Sequence, residues 1–475
     1  MNVFLYIGVI LSLAICGLIQ LNRLTRLSTV AVWIGFLVVL SSFIFSGPSS
    51  FLGFKVDALA RVMFLLILFI SGIVHLFSFR YMSGDLRINT YFSQLTLLTA
   101  SSLGFALSNH VFLSCGFWVL NQILLSCLMI HKSCWDQAKQ AGLLFLKWGL
   151  IGSLSLILGM SLLAWQADSF AIDSMVAYDG YTVVALLFIA LAALIQSGVW
   201  PFHLWLMSSL NSPTPVSALM HAGLVNAGGL LLAKFAPLIL SHSLFLHLIF
   251  TFGCISVVLG TIWKLMQTNI KRMLACSTMA QMGFMLVQCG LGLFPAAMAH
   301  MCWHGLFKGF LFLNSGSVVH TKPMTPISHT PATVFYSTLG ALLGALAFAC
   351  IAGLSLISLN TQIVLVFFAA IASFYVSSSF GRLGALASML FGSLYGGSIR
   401  LIEFVLQPMH FWKPQELSAW HISVMMFVFL FAMAINHWAC LWENSRLWKK
   451  FYLRMLNASQ SDQKTITAIR NEYQF

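Results

Sequence analysis

Three basic side chains in an apolar stretch are spaced so that they would share one face of a helix. His300, His304 and Lys308 follow one another at intervals of four residues, and residues i and i+4 lie one above the other on a helix. Histidine takes up and releases protons near neutral pH, and a desolvated lysine can do the same. We therefore expect this row, linked by water, to carry protons through a membrane. The alternative is that each group pairs locally and stabilises contacts between helices.

Other polar side chains interrupt apolar stretches elsewhere in the chain. Such residues are costly inside a membrane, and they commonly mark paths for ions or protons. The further members of the expected proton or cation pathway are Lys147, Gln196, His221 and Lys234. For Lys147, local pairing is the alternative. Arg400 and Glu403 lie three residues apart and form a possible ion pair on one helix face.

The stretch from residue 196 to residue 229 predicts a broken helix. It is apolar enough to lie in a membrane, but it contains Pro201, Pro213 and Pro215, and proline cannot continue a helix. The freed backbone groups are tolerated at membrane depth only inside protein or beside a watery cavity. Broken helices of this kind mark ion sites in transporters. The alternative is a re-entrant surface loop that joins two ordinary spans.

Composition restricts the class of protein. The 475 residues are 60% hydrophobic and only 7% charged, with a mean hydropathy of +0.92, which is typical of a polytopic membrane protein. The net charge of +13 does not indicate nucleic-acid binding, because the cations lie in short loops and at the C-terminus. The ten cysteines are scattered without a C-x-x-C pair, and no nearby acid or cysteine completes a tetrahedral ligand set with the two histidines. We therefore expect no disulfide framework, no metal site and no cofactor.

Windows of about 20 apolar residues predict an all-α polytopic membrane protein with about 15 transmembrane helices, broken at mid-membrane. Residues 1–445 would form one transmembrane bundle, and residues 446–475 a basic tail. Lysines and arginines fall in every second loop, so the positive-inside rule predicts a cytoplasmic C-terminus. We expect the bundle to lie in the bacterial inner membrane. The tail would be a short helix on the membrane surface or against a partner, or else a frayed terminus.

Several motifs resemble the large antiporter-like subunits of respiratory complex I and of multisubunit cation/proton antiporters. The matching stretches, in order within residues 50–320, are VDALARVM, FRYMSGD, SPTPVSALMHAG, IKRMLACSTMAQMGFM and HMCWHGLFKGFLFLNSGSV. The resemblance implies the antiporter-like subunit fold, in which a broken helix and buried lysines and histidines form a proton channel. By position, His221, His300, His304 and Lys308 match the channel residues of that family.

The chain departs from this family at several charged positions. The family has a glutamate directly after a tryptophan of the fifth span, where this chain has Val119, with Asn121 and Gln122 as the nearest polar groups. The family's seventh-span lysine falls at Gln196, and its sixth-span aspartate falls at Leu150. The resemblance thus implies that Gln196 holds a water or a hydrogen bond where relatives use lysine. These losses argue against a standard redox-driven pump.

The phrases PFHLWL and HAGLVNAGG resemble one branch, the DabB subunits of two-component inorganic carbon transporters. In that family the partner is a large peripheral zinc-binding, carbonic-anhydrase-like subunit of the DabA type. The resemblance implies that proton or other cation flow through this chain drives CO2 hydration and bicarbonate accumulation by the partner. The chain would be a transporter subunit in contact with lipid, and not itself an enzyme. The alternatives are a proton-translocating subunit of a complex I-like or multisubunit cation/proton antiporter, and a non-conducting membrane scaffold.

Overall fold

The described part of the protein is a bundle of helices with one short β-hairpin, which confirms the all-α membrane class. The computed structural model describes residues 2–19, 24–45, 48–175, 181–317, 331–354, 362–380, 383–407, 418–421, 423–424, 427 and 445–466. Within these residues, eight helical segments are long and apolar enough to cross a membrane, and three shorter helices are also apolar. The last apolar run of the chain, residues 421–442, lies largely outside the described residues. The total of about 15 spans therefore stays a prediction.

The first half of the bundle consists of long helices joined by short loops. Before the break these are α1 (Asn2–Leu18), α2 (Leu24–Phe45), α3 (Ala58–Tyr81), α4 (Ile88–Leu107), α5 (Val111–Met129), α6 (Asp136–Ala167) and α7 (Tyr181–Ser197). Strands β1 (Ser49–Phe51) and β2 (Phe54–Val56) pair antiparallel between α2 and α3. The Asp57 carboxylate accepts a hydrogen bond of 2.8 Å from the Ala60 N–H, and this N-cap starts α3 after the hairpin.

The break predicted after Gln196 extends over two interruptions. Its helical pieces are α8 (Leu204–Ser208), α9 (Thr214–Ala222), α10 (Ala227–Lys234) and α11 (Ala236–Leu240). α7 ends at Ser197, Gly198 adopts a φ of +61°, and the Trp200–Pro201 peptide is cis. Pro215 lies in the first turn of α9, where a missing N–H costs little. The second interruption, the 3₁₀ turn Leu224–Asn226, contains no proline and was not predicted.

The remaining helices surround the site or extend the bundle. They are α12 (Ser243–Met266), α13 (Ile270–Gly290), α14 (Phe294–Leu313), α15 (Pro331–Ala352), α16 (Gln362–Phe380), α17 (Gly384–Leu406) and α18 (Arg446–Ala458). α12 and α13 approach closely through glycine, because a Cβ on Gly283 would lie 2.8 Å from the Gly253 carbonyl oxygen. Small residues permit such backbone contact between membrane helices.

The two ends of the bundle differ in charge. The end where α3 and α5 finish and α4, α6 and α13 begin carries Arg87, Lys132, Lys139, Lys271 and Arg272, and we call it the basic face. At the opposite end Lys55, in the hairpin, lies 2.8 Å from the Asp173 carboxylate. The loops thus alternate between the two faces as their charges do in the sequence.

The basic tail begins as a helix that returns to the basic face. Ser445 caps α18 by accepting a hydrogen bond of 3.1 Å from the Trp448 N–H. Beyond α18, the Gln267 amide donates to the Ser459 hydroxyl at 2.8 Å. The tail is therefore helical over Arg446–Ala458 and is attached to the end of α12.

Candidate functional site

Four of the predicted pathway residues meet inside the bundle, and we call them the buried cluster: His221 of α9, and His300, His304 and Lys308 of α14. All four are between 0% and 8% exposed. α9 and α14 come close because Gly305 has no side chain, and a Cβ there would lie 2.7 Å from the Ala222 carbonyl oxygen. The cluster therefore joins the predicted helical row to the broken-helix segment.

His221 is held by hydroxyl groups from two further elements. Its Nε2 lies 3.1 Å from the Ser209 Oγ, and its Nδ1 lies 3.2 Å from the Thr278 Oγ1. The imidazole ring stacks on Phe312 with a centroid separation of 4.2 Å. Ser209 follows α8 and Thr278 belongs to α13, so the broken segment and two intact helices fix this ring.

The two hydroxyl partners allow His221 to be neutral or protonated. The Ser209 hydroxyl donates to the Leu206 carbonyl at 2.6 Å, and the Thr278 hydroxyl donates to the Leu274 carbonyl at 3.1 Å. In that arrangement both ring nitrogens donate, as in imidazolium. Rotation of one hydroxyl toward the ring provides the donor that a neutral imidazole needs. The site can therefore keep both forms hydrogen-bonded.

Lys308 is linked to His221 through one backbone carbonyl. Its Nζ donates to the Leu274 oxygen at 3.1 Å, and the same oxygen accepts from Thr278. An ammonium group has three N–H bonds, and this is one of them. Lys308 is fully buried, so its amino group is held away from solvent.

His300 and His304 complete the row on α14. Their rings are 6.1 Å apart and nearly parallel, with an interplanar angle of 11°. Within the described residues, both ring nitrogens of His304 and the Nε2 of His300 are buried without a hydrogen-bond partner. Buried polar atoms are seldom left in this state by protein and ordered water together. These nitrogens are therefore suited to bind water.

Gln196 pairs with an amide that sequence reasoning did not include in the pathway. The Gln122 Nε2 donates to the Gln196 Oε1 at 2.8 Å, and the Gln196 Nε2 donates to the Leu224 carbonyl at 3.0 Å. Gly149 leaves room for this pair, because a Cβ there would lie 2.8 Å from the Gln122 Oε1. A neutral amide pair thus joins α5 and α7 to the second interruption of the broken helix.

Lys234 lies apart from the buried cluster, at the end of α4. Its Nζ donates to the carbonyls of Phe105 at 2.8 Å and Ser108 at 2.6 Å. It also lies 5.1 Å from the centroid of the Phe105 ring. The last carbonyls of a helix attract cations, so these contacts make Lys234 a cap for α4.

The structure does not bring the other predicted charges into the cluster. Lys147 is exposed on the outer side of α6. The Arg400 guanidinium lies 3.3 Å from the Glu403 carboxylate on α17, with the arginine side chain 61% exposed. Both sites lie on the outside of the described bundle.

Sequence reasoning missed Ser209 and Thr278, the hydroxyl partners of His221, and did not predict that Gln122 pairs with Gln196. Serine and threonine are common in apolar helices, so their types alone carry little signal. Thr278 lies within the matching motif IKRMLACSTMAQMGFM and Ser209 lies within the broken stretch. Their position in these segments is the signal that could have identified them.

Family models match most of the pathway region. Residues 108–353 match the family described as NADH:quinone oxidoreductase/Mrp antiporter, transmembrane. Residues 45–92 match the family described as NADH-ubiquinone oxidoreductase (complex I), chain 5 N-terminus. The first match includes all four residues of the buried cluster.

Curated relatives share about a third of their aligned residues with this chain. The protein named probable inorganic carbon transporter subunit DabB1 of Halothiobacillus neapolitanus is 35% identical, over 72% of this chain and 62% of the relative. The protein named probable inorganic carbon transporter subunit DabB of Bacillus subtilis is 31% identical, over 97% of this chain and 95% of the relative. The chloroplastic NAD(P)H-quinone oxidoreductase subunit 5 of Amborella trichopoda is 32% identical, over 58% and 39%.

A solved structure shares the fold. A chain of the Mrp complex from Dietzia sp. DQ12-45-1b superposes with a TM-score of 0.61 at 21% identity, over 99% of this chain and 54% of that chain. The fold is therefore that of the antiporter-like subunits, as the sequence motifs predicted. The chain belongs to the family of antiporter-like multi-pass membrane subunits that includes the proteins named DabB.

Proposed function

We propose that this chain is the membrane subunit of an inorganic carbon transporter and that its buried cluster conducts protons or another cation. The observation that carries the proposal is the cluster itself: three histidines and a lysine buried together, with ring nitrogens of His300 and His304 that find no hydrogen-bond partner among the described residues. Such groups are costly in a membrane interior unless they serve a path. The relatives named as inorganic carbon transporter subunits supply the substrate class.

A proton would travel along the cluster by short transfers between bound groups and water. Ser212 and Ser217, whose hydroxyls lie 2.9 Å apart, lead from the basic face toward Ser209 and His221. His221 would exchange protons with its hydroxyl partners, and bound water would bridge from there to Lys308, because the Leu274 carbonyl that they share accepts hydrogen bonds but cannot pass a proton on. Water bound to the free nitrogens of the α14 row would continue the path. Histidine suits this task because it changes protonation near neutral pH.

The chemistry on carbon would belong to a partner. The family resemblance implies a large peripheral zinc-binding, carbonic-anhydrase-like subunit of the DabA type. Ion flow through this chain would drive that partner to hydrate CO2 in one direction, so that bicarbonate accumulates in the cytoplasm. With the basic face on the cytoplasmic side of a bacterial inner membrane, the C-terminal helix would lie on the partner's side.

We expect Lys308→Ala or His304→Ala to reduce bicarbonate accumulation by about tenfold or more, because each removes a proton carrier. The measurement is uptake of labelled inorganic carbon in cells that lack carbonic anhydrase and express this chain with its partner. Phe307→Ala, which shortens an exposed side chain on the same helix, is the matched control. Membrane levels of each variant and copurification of the zinc-bearing partner are measured in parallel.

The same experiment separates the alternatives. Normal accumulation in both cluster variants would exclude the conducting role. Loss of accumulation together with loss of the copurifying partner would favour a scaffold that docks the enzyme. Sodium- or quinone-linked activity with several small membrane partners would favour an antiporter or complex I-like subunit. Val119 and Gln196 count against that last class, because they stand where its members have a glutamate and a lysine.

A further inference from the structure

A cavity of about 490 Å³ opens at the basic face beside the broken helix, and we call it the vestibule. Its polar wall comes from the ends of α3 and α5, the loops after them, and the start of α13. The lining residues that matter here are Tyr81, Asp85, His131, Lys132, Asn211 and Lys271. Pro213 also borders the cavity, so the positive end of the α9 dipole lies at its wall.

Two lysines give the vestibule an excess of positive charge. Within the described residues, no carboxylate lies within salt-bridge distance of Lys132 or Lys271. The Lys271 Nζ makes one long hydrogen bond of 3.4 Å, to the Ser212 carbonyl. Both lysines and Tyr81 line this one cavity, so the two lysines border a common space. A polar cavity with one sign of charge concentrates ions of the opposite sign.

Asp85, the carboxylate that lines the vestibule, already has hydrogen-bond partners within the protein. Asp85 accepts a hydrogen bond of 2.8 Å from the Arg87 N–H, and its Oδ1 lies 3.2 Å from the His131 Nε2. Partial burial would raise the pKa of Asp85, but these hydrogen bonds and the charges of His131 and Lys132 hold it below its ordinary value. The ionised Asp85 is thus occupied by His131 and the backbone, and the lysines remain open to an external anion.

The vestibule is connected to the buried cluster through α13. Lys271, Leu274 and Thr278 are spaced so that they lie along one face of that helix. Thr278 contacts the His221 ring, so this face of α13 runs from the vestibule to the cluster.

We infer that the vestibule binds a small planar oxyanion of the carboxylate class, and that bicarbonate is this anion. The inference rests on the proposed function, which makes bicarbonate the species formed on the cytoplasmic side. Lysine binds such groups as a point charge, and the Tyr81 hydroxyl, which accepts from the Thr214 N–H, keeps its own hydrogen to donate. The size of the cavity allows the anion to keep part of its hydration shell. A carboxylate side chain of the partner is the other possible source of this group.

The test uses the purified full chain in lipid nanodiscs without its partner. Binding of ¹³C-labelled bicarbonate is followed by the broadening of its NMR signal at constant ionic strength. We expect saturable broadening in the wild type and an affinity about tenfold lower in Lys132→Gln/Lys271→Gln. Lys132→Arg/Lys271→Arg keeps the charges and is expected to retain binding. Lys139→Gln/Lys264→Gln, which changes exposed lysines outside the vestibule, is expected to bind as the wild type.

Two outcomes would overturn the inference. One is the absence of saturable bicarbonate binding, and the other is equal binding in the wild type and Lys132→Gln/Lys271→Gln. Acetate that binds at these lysines where bicarbonate does not would assign the site to a partner's carboxylate, and the bicarbonate assignment would then be wrong. Because no partner or ion flux is involved, this result is independent of the accumulation assay. A failure here would leave the conducting role of Lys308 untouched.

Discussion

At the residue scale, Thr278 connects two members of the buried cluster. Its hydroxyl lies 3.2 Å from the His221 Nδ1 and donates to the Leu274 carbonyl, which also accepts from Lys308. A hydroxyl can both donate and accept, and it rotates to suit its neighbours. Thr278 is therefore one of the two hydroxyls, with Ser209, that let His221 change protonation without losing a hydrogen bond.

We expect Thr278→Val to lower bicarbonate accumulation by about tenfold, because the His221 Nδ1 loses its partner. A buried polar group left without a hydrogen bond costs about 1–3 kcal/mol, and valine has nearly the shape of threonine. Thr278→Ser keeps the hydroxyl and is the matched control. Carbon uptake at equal membrane levels is the measurement. Equal uptake by the valine and serine variants would show that the hydroxyl takes no part in transfer.

At the element scale, the position of α13 determines the site, because this helix carries Lys271, Leu274 and Thr278. It is held against α12 by backbone contact, with Gly253, Gly260, Gly283 and Gly290 at the interface. A Cβ on Gly260 would lie 2.7 Å from the Ala280 nitrogen, and a backbone atom cannot move aside as a side chain can. The glycines thus set the distance between the two helices, and with it the distance between α13 and the cluster.

We predict that Gly283→Leu destabilises the protein by about 1–3 kcal/mol, because its side chain would force α12 and α13 apart. Displacement of Thr278 and Leu274 from the cluster should also reduce transport. Gly116→Ala is the control, since a Cβ at Gly116 meets nothing within 4 Å. Thermal unfolding in detergent and carbon uptake are measured for both. A Gly283→Leu protein as stable as Gly116→Ala would contradict the close-contact account.

At the scale of the whole molecule, the C-terminal segment after α18 packs beneath the broken helix. The Asn211 amide donates to the carbonyls of Thr465 at 2.8 Å and Gln137 at 3.3 Å, and the Thr465 hydroxyl donates to Ser208 at 3.3 Å. These residues lie next to Ser209, which contacts His221. Contacts between residues more than 250 positions apart thus support the segment that holds the cluster.

We expect Asn211→Ala to release this segment from the bundle. The carbonyls of Thr465 and Gln137 would lose their donor, which weakens the attachment of the C-terminal segment. The backbone at Lys464 should then open to a protease on the order of tenfold more often. Trypsin cleavage after Lys464 in native membranes is the measurement. Asn109→Ala, which removes a hydrogen bond to the Asp173 N–H at the opposite face, is the control. Cleavage at the same rate in both variants would show that Asn211 does not hold the tail.

The sequence alone determined the features that depend on neighbouring residues. Apolar runs of span length predict long helices, and α3 (Ala58–Tyr81) is one of them. The i, i+4, i+8 spacing put His300, His304 and Lys308 on one helix, because helical periodicity is local. The lysines and arginines of alternate loops likewise predicted that the two ends of the bundle would differ in charge.

Only the tertiary structure decided which helix faces meet. His221 joins the α14 row because glycine lets α9 and α14 touch, and the Gln122–Gln196 bond joins residues 74 positions apart. Lys147 has apolar neighbours in the sequence but lies on the outside of α6. Lys234 also lies in an apolar stretch but caps α4. Composition and periodicity cannot distinguish a charged residue that is buried in the bundle from one that lies on its outer surface. The partner of each charge is set by long-range packing, and no local pattern records it.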